Sequence, residues 1–325
     1  MTRKKIIQLL KTIIPLGLGI FLIWYSLASA TPEQRATLWE NIKNAEPGWI
    51  ILSLCFGILS HLSRAYRWQF LLEPLGYKPA FANRFMAVMV AYMANLGIPR
   101  AGEVLRGATL TTYENVPFEK AFGTIISERI ADLIMLLLIV ALALILQSDD
   151  LFAYLQSKNI NPLFTAGILV VLVLLLFGFY KLLQKSQNTF VVKVRKFVSG
   201  LLEGMRSILK MKHKGAFIFH TFFIWAMYIL MFWVVKFTVP ELENTGFGII
   251  MAAFVVGSFS ISATNGGIGV YPVAIGALLM VFDISKASGE AFGWILWGAQ
   301  TLLVIVLGAL SFIVLPIYNN KKEKK

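Results

Sequence analysis

The sequence predicts an all-α polytopic membrane protein with about six full transmembrane helices and two broken or re-entrant helical hairpins. Of its 325 residues, 58% are hydrophobic and 14% are charged, whereas average soluble domains carry about 25% charged residues. The mean hydropathy is +0.72. Several apolar runs approach the roughly 20 residues that cross the hydrocarbon layer. Together these observations exclude a soluble globular chain.

The apolar runs give the order of the predicted helices. They lie at residues 6–29, 48–72, 80–97, 100–114, 118–147, 163–184, 215–238, 246–263, 268–282 and 287–318. The third and fourth runs, and likewise the eighth and ninth, are separated only by short breaks, and we interpret each pair as a hairpin. The first run ends in Ala28-Ser29-Ala30, which also fits a signal-peptide cleavage site. We expect an uncleaved first helix, because the run is long enough to span.

The net charge of +13 lies mainly between the apolar runs, which favours anionic lipid surfaces over nucleic acid as the partner. Both termini and residues 185–214 are basic, while residues 31–46, 148–162 and 239–245 are neutral or acidic. Placing the basic segments in the cytoplasm predicts a multi-pass protein of the cell (plasma or inner) membrane with both termini cytoplasmic. In that topology, each hairpin must begin and end on the same side of the membrane. Six full spans with two hairpins satisfy this condition, and so do ten full spans.

We interpret residues 1–325 as one transmembrane domain that contains a candidate inverted repeat, residues 80–147 and 246–318. Each half is a hairpin followed by a long helix. Lys120-Ala121-Phe122-Gly123 in the first long helix has a counterpart in Glu290-Ala291-Phe292-Gly293 in the second. Many transporters use inverted repeats to build a midplane site from discontinuous helices.

The basic segment at residues 185–214 differs from the spans. Within it, apolar residues recur at helical spacing over residues 189–210, with basic residues opposite. This pattern predicts an amphipathic cytoplasmic helix that lies on anionic lipid.

The stretch from Asn95 to Arg106 places charges and glycines between hydrophobic segments. Arg100, Glu103 and Arg106 recur at i, i+3 and i+6 and therefore share one helical flank. The same stretch holds three candidate hinge residues, Gly97, Pro99 and Gly102. Free backbone N–H groups at a helix start, together with guanidinium groups, predict an anion site suited to phosphate.

A second charged group lies in the following helix, where Glu128 and Asp132 share one face and Arg129 is adjacent. At about 1.5 Å per residue, Arg129 lies roughly 18 Å beyond Pro117, inside the hydrocarbon layer. A charge near the bilayer centre costs at least about 2.5–3.5 kcal/mol, so such groups usually line a functional cavity.

Two interpretations of these charges stay open. In the first, Arg106 and Arg129 contact a charged ligand, and carboxylates orient them or take up a proton. Those carboxylates are Glu103, Glu128 and Asp132. In the second, the charges only pair with each other and fix the hairpin to the long helix. Arg64 and Arg67 lie nearer the predicted cytoplasmic end of their helix, and we expect them to snorkel to the surface.

The second hairpin reverses at Asn265, Gly266, Gly267 and Gly269. Three glycines in four residues disfavour a helix interior, where each costs about 1 kcal/mol relative to alanine. They fit a tight reversal inside the membrane that is covered by protein or lines water. The segment is either a simple turn at a helix junction or one wall of a ligand site, with backbone amides approaching a head group.

The sequence offers no metal or disulfide chemistry. Its single cysteine, Cys55, lies in an apolar run. Its three histidines, His61, His213 and His220, lack metal-ligand spacing. We therefore expect no cofactor and no metal. Intramembrane catalysis by Glu128 and Asp132 is the least favoured function, because no nucleophile and base are paired, and we expect a protein that is not an enzyme.

Three motifs resemble, in this order, those of the lysylphosphatidylglycerol synthase transmembrane family, also called flippase-like. They are Asn95 to Arg106, Glu128-Arg129 with Asp132, and Gly266 to Gly269. The resemblance covers nearly the whole chain. The sequence departs from the pattern at Asn265, where a proline usually stands, and at Tyr271-Pro272, where an acidic residue usually follows. It shows no counterpart of the soluble aminoacyltransferase domain of the best-known members, so we do not expect synthase activity.

The resemblance implies an integral membrane protein that moves a phosphate-bearing lipid, either an aminoacylated phospholipid or a polyprenyl-phosphate carrier, between leaflets. The residues it points to are Pro99, Arg100, Gly102, Glu103, Arg106, Glu128, Arg129, Asp132 and the turn from Gly266 to Gly269. The alternative is a membrane scaffold or regulator of a separately encoded lipid-modifying or glycosyltransferase enzyme. The expected partners are such a lipid and such an enzyme, and not nucleic acid.

Overall fold

The computed structural model describes residues 17, 20–98, 100–147, 211–264 and 266–323, and this part of the chain is helical without a β-strand. We number its α-helices in chain order. They are α1 Ile20–Ser29, α2 Pro32–Lys43, α3 Pro47–Leu72, α4 Phe81–Gly97, α5 Ala101–Glu114, α6 Phe118–Leu146, α7 Lys214–Val235, α8 Phe247–Ala263, α9 Val270–Leu279 and α10 Lys286–Glu323. Short 3₁₀ turns lie at Glu73–Leu75, Lys236–Thr238, Pro240–Leu242 and Met280–Phe282.

These helices confirm the all-α class, and the predicted runs among the described residues agree with them to within a few residues. One helix, α2, was not predicted. The Thr31 hydroxyl accepts a hydrogen bond from the Gln34 N–H, the Gln34 side chain accepts one from the Thr31 N–H, and Pro32 occupies the first turn. This capping box starts a helix in a polar segment that hydropathy alone leaves as a loop.

Several predictions fall outside the described residues. They concern most of residues 6–19 in the first helix, the helix at 163–184, the amphipathic helix at 189–210 and most of the basic segment at 185–214. The hinge residue Pro99 and the turn residue Asn265 also fall outside. The other candidate site residues all lie in the part of the chain that the structure describes.

Four described helices are long and apolar enough to cross a membrane. These segments are Pro47–Leu75, Phe118–Leu146, Lys214–Thr238 and Lys286–Asn320, and they contain α3, α6, α7 and α10. Helices α3 and α7 pack along each other in opposite directions. The ring of Phe70 meets His213 at one end of the pair, and Trp49 meets Phe237 at the other.

The first hairpin consists of α4 and α5, and its two ends lie together. Glu114 at the end of α5 accepts a hydrogen bond from the backbone N–H of Ala80, just before α4, at 3.0 Å. At the tip, the Gly102 N–H donates to Asn95 Oδ1 at 2.7 Å. A Cβ on Gly102 would clash with the Ala91 carbonyl oxygen, so α5 can fold back onto α4 only with glycine at this position.

The second hairpin consists of α8 and α9, joined by a glycine turn that the structure describes at residues 264 and 266–269. Gly266, Gly267 and Gly269 have φ angles of +66°, +82° and +71°, a region that glycine enters without steric cost. The predicted tight reversal is therefore present. The base of this hairpin is held by Glu241, whose carboxylate accepts hydrogen bonds from the backbone N–H and the hydroxyl of Ser285, both at 2.6 Å.

Helix α10 connects the bases of the two hairpins. It begins next to Ser285, at the base of the second hairpin. Near its other end, the Asn319 side chain exchanges hydrogen bonds of 2.8 and 2.9 Å with Asn83 in the first turn of α4. The two hairpins therefore start at opposite ends of α10.

The tips of the hairpins meet between these ends. A Cβ on Gly266 would lie 2.7 Å from a methyl carbon of Leu96, near the end of α4. The indole N–H of Trp297, on α10, donates to the Gly266 carbonyl at 2.7 Å. If both hairpins crossed completely from opposite sides, their tips would lie about 30 Å apart. The contact favours two hairpins over ten full spans.

Helices α9 and α10 pack closely against each other through glycines. Gly289 and Gly293, four residues apart on α10, face Gly276 and Pro272 of α9. A Cβ on Gly293 would come 2.6 Å from Pro272 Cα. Small residues at such spacing let membrane helices approach closely, which increases their van der Waals contact.

Two hydrophobic clusters flank the polar centre of the molecule. The larger joins α7, α8, α9 and α10 to the second half of α6, and includes Phe232, Tyr271 and Phe292. The smaller joins the end of α3 to α5 and the start of α6, around Trp68 and Leu110. Glu128, Arg129 and Asp132 of α6 lie where this helix passes from the smaller cluster to the larger.

Candidate functional site

Five charged side chains from three helices form a buried group, which we call the ion-pair cluster. They are Arg64 and Arg67 of α3, Arg106 of α5, and Glu128 and Asp132 of α6. The three arginine side chains and Glu128 are at most 4% exposed, and Asp132 is 11% exposed. The five side chains are therefore buried in the contact between the three helices.

The two carboxylates of the cluster bridge the three arginines. Arg64 Nη1 lies 2.7 Å from Glu128 Oε1 and 2.6 Å from Asp132 Oδ2. Arg67 Nη2 lies 3.1 Å from Glu128 Oε1 and 3.0 Å from Asp132 Oδ1. Arg106 Nη2 donates to Glu128 Oε2 at 2.8 Å. Charge-assisted bonds of this length are strong, so α6 links the first hairpin to α3.

Helical spacing explains how these groups meet. Arg64 and Arg67 are i, i+3 on α3, and Glu128 and Asp132 are i, i+4 on α6, so each pair shares a helix face. The two helices pack against each other. Arg64 lies about 12 Å from the end of α3, and Glu128 lies about 15 Å from the start of α6. The cluster therefore lies inside the helical segments and not at their ends.

Helix α7 supplies neutral partners to the arginines of α3. Arg67 Nη1 donates to the Thr221 hydroxyl at 2.9 Å. Arg64 Nη2 donates to the Tyr228 hydroxyl at 3.3 Å. These two bonds connect the ion-pair cluster to the antiparallel partner of α3.

Trp68 supports the arginine that comes from the hairpin. The guanidinium carbon of Arg106 lies 3.8 Å from the centroid of the Trp68 ring. The Trp68 indole N–H donates to the Thr124 hydroxyl at 2.8 Å, and Trp68 is fully buried. One side chain of α3 thus contacts both α5 and α6.

The expectation that Arg64 and Arg67 snorkel to the cytoplasmic surface is wrong. Both lie at the centre of the ion-pair cluster, because the carboxylates of α6 face them across the contact between α3 and α6. Sequence reasoning therefore missed two residues of the site. A usable signal was the polar stripe on α3 that also holds Ser60 and His61, which are buried.

A second ion pair, which we call the outer pair, borders the cluster. Arg129 Nη2 lies 2.8 Å from Glu103 Oε1, and the two side chains are 44% and 21% exposed. Glu103 is one helical turn from Arg106 on α5, and Arg129 follows Glu128 on α6. The neighbouring exposed side chains on α5 and α6 are apolar: Val104, Leu105, Ile126 and Leu133. Arg129 is therefore accessible at the surface, while Arg106 is not.

The remaining predicted site residues that the structure describes lie at the hairpin tips. Arg100 is exposed and takes a φ of +61° just before α5. The glycine turn contacts Leu96 and Trp297. In the described part of the chain, no ion pair or hydrogen bond connects Arg100 or the turn to the ion-pair cluster. The predicted charges thus form two groups, Arg106 with Glu128 and Asp132, and Glu103 with Arg129.

A family model for the lysylphosphatidylglycerol synthase TM region matches residues 12–308. This range contains both hairpins, the ion-pair cluster and the outer pair. The chain belongs to this family. The match confirms the resemblance that the three sequence motifs of this chain indicated.

A curated relative supports the same grouping. The UPF0104 membrane protein MJ1595 of Methanocaldococcus jannaschii is 27% identical to this chain over 158 residues. The match covers 48% of this chain and 46% of the relative, so the chain spans about half the length of that protein. No solved structure matches the chain. The family match describes a membrane protein of the lysylphosphatidylglycerol synthase TM region.

Proposed function

We propose that this protein moves a phosphate-bearing lipid between the two leaflets of the cell membrane. The lipid is an aminoacylated phospholipid or a polyprenyl-phosphate carrier, and the chain performs no catalytic step of its own. The observation that carries the proposal is the outer pair, Glu103 and Arg129, on an apolar surface beside buried arginines.

The surroundings of Arg129 support a lipid phosphate as the ligand. Arg129 lies about 17 Å along α6, on a stripe whose exposed neighbours include Ile126 and Leu133. A charge at such depth is unfavourable unless it has a polar partner. Glu103 uses one of the five N–H donors of the guanidinium, so donors are available to phosphate oxygens. Acyl or prenyl chains can then lie against the apolar stripe.

The hairpins offer a path for the head group. Helix α10 packs against α4, and α6 packs against α8, so the long helix of each candidate repeat contacts the hairpin of the other. In this proposal, residues 80–147 and 246–318 form an inverted repeat with the hairpin tips at its centre. The head group crosses along the polar seam between the hairpins while the tails stay in lipid. Both chain termini lie in the cytoplasm.

A liposome assay tests this function. The full chain is reconstituted with labelled aminoacyl-phospholipid or labelled polyprenyl phosphate, and the rate of movement between leaflets is measured. Arg129→Ala removes charge-assisted hydrogen bonds worth about 1.5–3 kcal/mol, so the rate should fall by about tenfold or more. Equal rates for wild type and a correctly folded Arg129→Ala protein would overturn the proposal.

Lys120→Ala is the matched control. Lys120 is an exposed cation on the same helix, and it donates to the Tyr77 hydroxyl at 3.4 Å. The loss of this contact should leave lipid movement unchanged. A parallel fall in both variants would mean that α6 needs surface cations in general, and that Arg129 has no specific part.

One observation favours the second candidate, a membrane scaffold for a separately encoded lipid-modifying or glycosyltransferase enzyme. The ion-pair cluster is paired within itself and joins α3, α5 and α6, as a purely structural device would. Cross-linking in cells followed by purification would recover such an enzyme with the chain. Lipid movement by the purified chain alone would make this role unnecessary.

A further inference from the structure

The ion-pair cluster carries more positive than negative charge. Three guanidinium groups face two carboxylates, so its net charge is 3 − 2 = +1. The outer pair adds no net charge. The buried His61, one turn from Arg64 on α3, adds no negative charge in either protonation state. An uncompensated buried charge is strongly destabilising, so the cluster needs one further negative group.

The same arginines also have unused donors. The Nε atoms of Arg64, Arg67 and Arg106 are buried and have no hydrogen-bond partner among the described residues. A buried donor without an acceptor costs about 1–3 kcal/mol. One anion with several oxygen acceptors would satisfy both the excess charge and these donors.

We propose that the ion-pair cluster binds one phosphate ester with a single net negative charge, and that it thereby selects anionic lipids over lipids with amino-bearing head groups. A monoanionic phosphate ester brings the cluster to neutrality. An aminoacylated head group adds ammonium groups to its phosphate and leaves an excess of positive charge. This inference rests on the proposed function and narrows the class of lipid that it moves.

The outer pair gives the lipid phosphate a route from the protein surface to the ion-pair cluster. Arg129 is the accessible guanidinium, and it lies one residue after Glu128, the carboxylate that holds Arg106. In this proposal, a phosphate that binds first at Arg129 passes to Arg106, which lies one helical turn from Glu103 on α5. Because Arg106 lies over Trp68, the fluorescence of that indole should report the arrival of the ligand.

The test measures binding of short-chain lipids, below their micelle concentration, to the full chain in detergent. The probes are short-chain phosphatidylglycerol, phosphatidylcholine, lysyl-phosphatidylglycerol and inorganic phosphate. Affinity is obtained from thermal stabilisation, which grows with ligand concentration over Kd. Phosphatidylglycerol should bind at least about tenfold more tightly than the other two lipids, as one charge-assisted hydrogen bond predicts. A fluorescence change that is lost in Trp68→Phe places the ligand at the cluster.

Two variants change the charge of the cluster in opposite directions. Arg67→Gln makes it neutral, and phosphatidylglycerol should then bind about tenfold more weakly. Asp132→Asn raises it to two positive charges and should tighten binding. The control is Arg84→Gln. The Nε atom of Arg84 is likewise buried without a partner, but its other donors bind the Ala65 and Tyr66 carbonyls, outside the cluster. The affinity of Arg84→Gln for phosphatidylglycerol should match that of wild type. If either variant fails to fold, the comparison of phosphatidylglycerol with lysyl-phosphatidylglycerol on the wild-type chain decides.

Each outcome separates the explanations. Equal or tighter binding of lysyl-phosphatidylglycerol would overturn the inference, as would unchanged affinity in Asp132→Asn. If inorganic phosphate binds as tightly as phosphatidylglycerol, the cluster is an anion site that does not recognise the lipid, and the proposed selection among lipids is overturned. Lipid movement in liposomes with a preference for cationic lipids would leave the proposed function standing and remove this inference.

Discussion

Arg106 of the first hairpin lies over the indole ring of Trp68, with 3.8 Å between its guanidinium carbon and the ring centroid. The same arginine donates to Glu128 at 2.8 Å. A single hairpin side chain is thus held by a ring on α3 and a carboxylate on α6. The position of the hairpin relative to the long helices depends on these two contacts, and each can be removed separately.

Trp68→Phe and Trp68→Leu should differ in stability. Phenylalanine keeps an aromatic face for Arg106 but loses the hydrogen bond to Thr124, which costs about 1 kcal/mol. Leucine also loses the cation–π contact, worth about 0.5–2 kcal/mol more. Unfolding of the detergent-solubilised protein followed by circular dichroism should rank wild type above Phe and Phe above Leu. Equal stability of the two variants would show that the ring face does not hold Arg106.

Glu128→Gln should be among the most damaging substitutions in the protein. It leaves three buried arginines with one carboxylate, and removing one partner of a buried ion pair costs about 3–5 kcal/mol. Glu119 is exposed on the same helix, so Glu119→Gln should lower the free energy of unfolding by less than about 0.5 kcal/mol. Denaturant unfolding of the two variants checks the difference. Similar small losses would mean that the cluster is hydrated and not shielded.

Gly293→Ala and Gly298→Ala compare two glycines on one helix. A Cβ on Gly293 would come 2.6 Å from Pro272 Cα, whereas a Cβ on Gly298 meets nothing within 4 Å. The first change should separate α10 from α9 and destabilise the protein by about 1–3 kcal/mol. The second should be neutral or stabilising by up to about 1 kcal/mol, because alanine favours helix. Thermal unfolding that ranks Gly298→Ala below Gly293→Ala would contradict this packing.

The helices could largely be predicted from sequence, because long apolar runs leave the backbone few alternatives in a bilayer. The glycine turn followed from the cost of glycine in a helix. Helix α2 was missed, since it depends on the capping box of Thr31 and Gln34 and hardly at all on hydropathy. The contact between Leu96 and Gly266 also could not be predicted, because the residues are far apart in sequence and neither is charged.

The candidate site was predicted only in part. Helical spacing correctly placed Glu128 and Asp132 on one face, and it grouped Glu103 with Arg106 on one flank. It could not separate the buried Arg106 from the exposed Arg129, because burial depends on which helix covers each face. Arg64 and Arg67 were assigned to the surface for the same reason, since their partners lie on α6, more than 60 residues away.

The base of the second hairpin should loosen at low pH. Partial burial alone raises the pKa of Glu241, but hydrogen bonds from the Ser285 and Ser288 hydroxyls and from the Ser285 N–H outweigh it and hold the pKa below its usual value. A carboxyl with a lowered folded-state pKa stabilises the fold above its ordinary pKa, and this contribution is lost as the pH falls through the folded pKa. The melting temperature should therefore fall as the pH is lowered below the ordinary pKa of a glutamate carboxyl, about 4.3.

Glu241→Gln tests this pH effect directly. The amide cannot titrate, so its melting temperature should change less with pH than that of wild type. Glu243→Gln, a neighbouring exposed change, should keep the wild-type profile. If Glu241→Gln shows the same acid loss as wild type, other carboxylates cause it.

The opposite entry of the two hairpins predicts a labelling pattern. In a Cys55→Ala background, which lacks the single native cysteine, Lys78→Cys marks the base of the first hairpin and Asn244→Cys marks the base of the second. Asn320→Cys marks the far end of α10, beside Asn319, which binds the first hairpin. Because the bases lie at opposite ends of α10, an impermeant maleimide should reach Lys78→Cys and Asn320→Cys from one face of sealed vesicles. It should reach Asn244→Cys from the other.

A cysteine at the hairpin tip separates the two membrane topologies. In a ten-span protein, α4 crosses completely, so Arg100→Cys would react freely from the face opposite to Lys78→Cys. In the observed fold, the tip meets Gly266 through Leu96 and lies about 20 Å or more from either base, so Arg100→Cys should react slowly from both faces. Permeabilised vesicles give the total reactive fraction for each variant. Fast labelling of Arg100→Cys from the far face would rule out paired hairpins, because the tips could not then lie at a common depth.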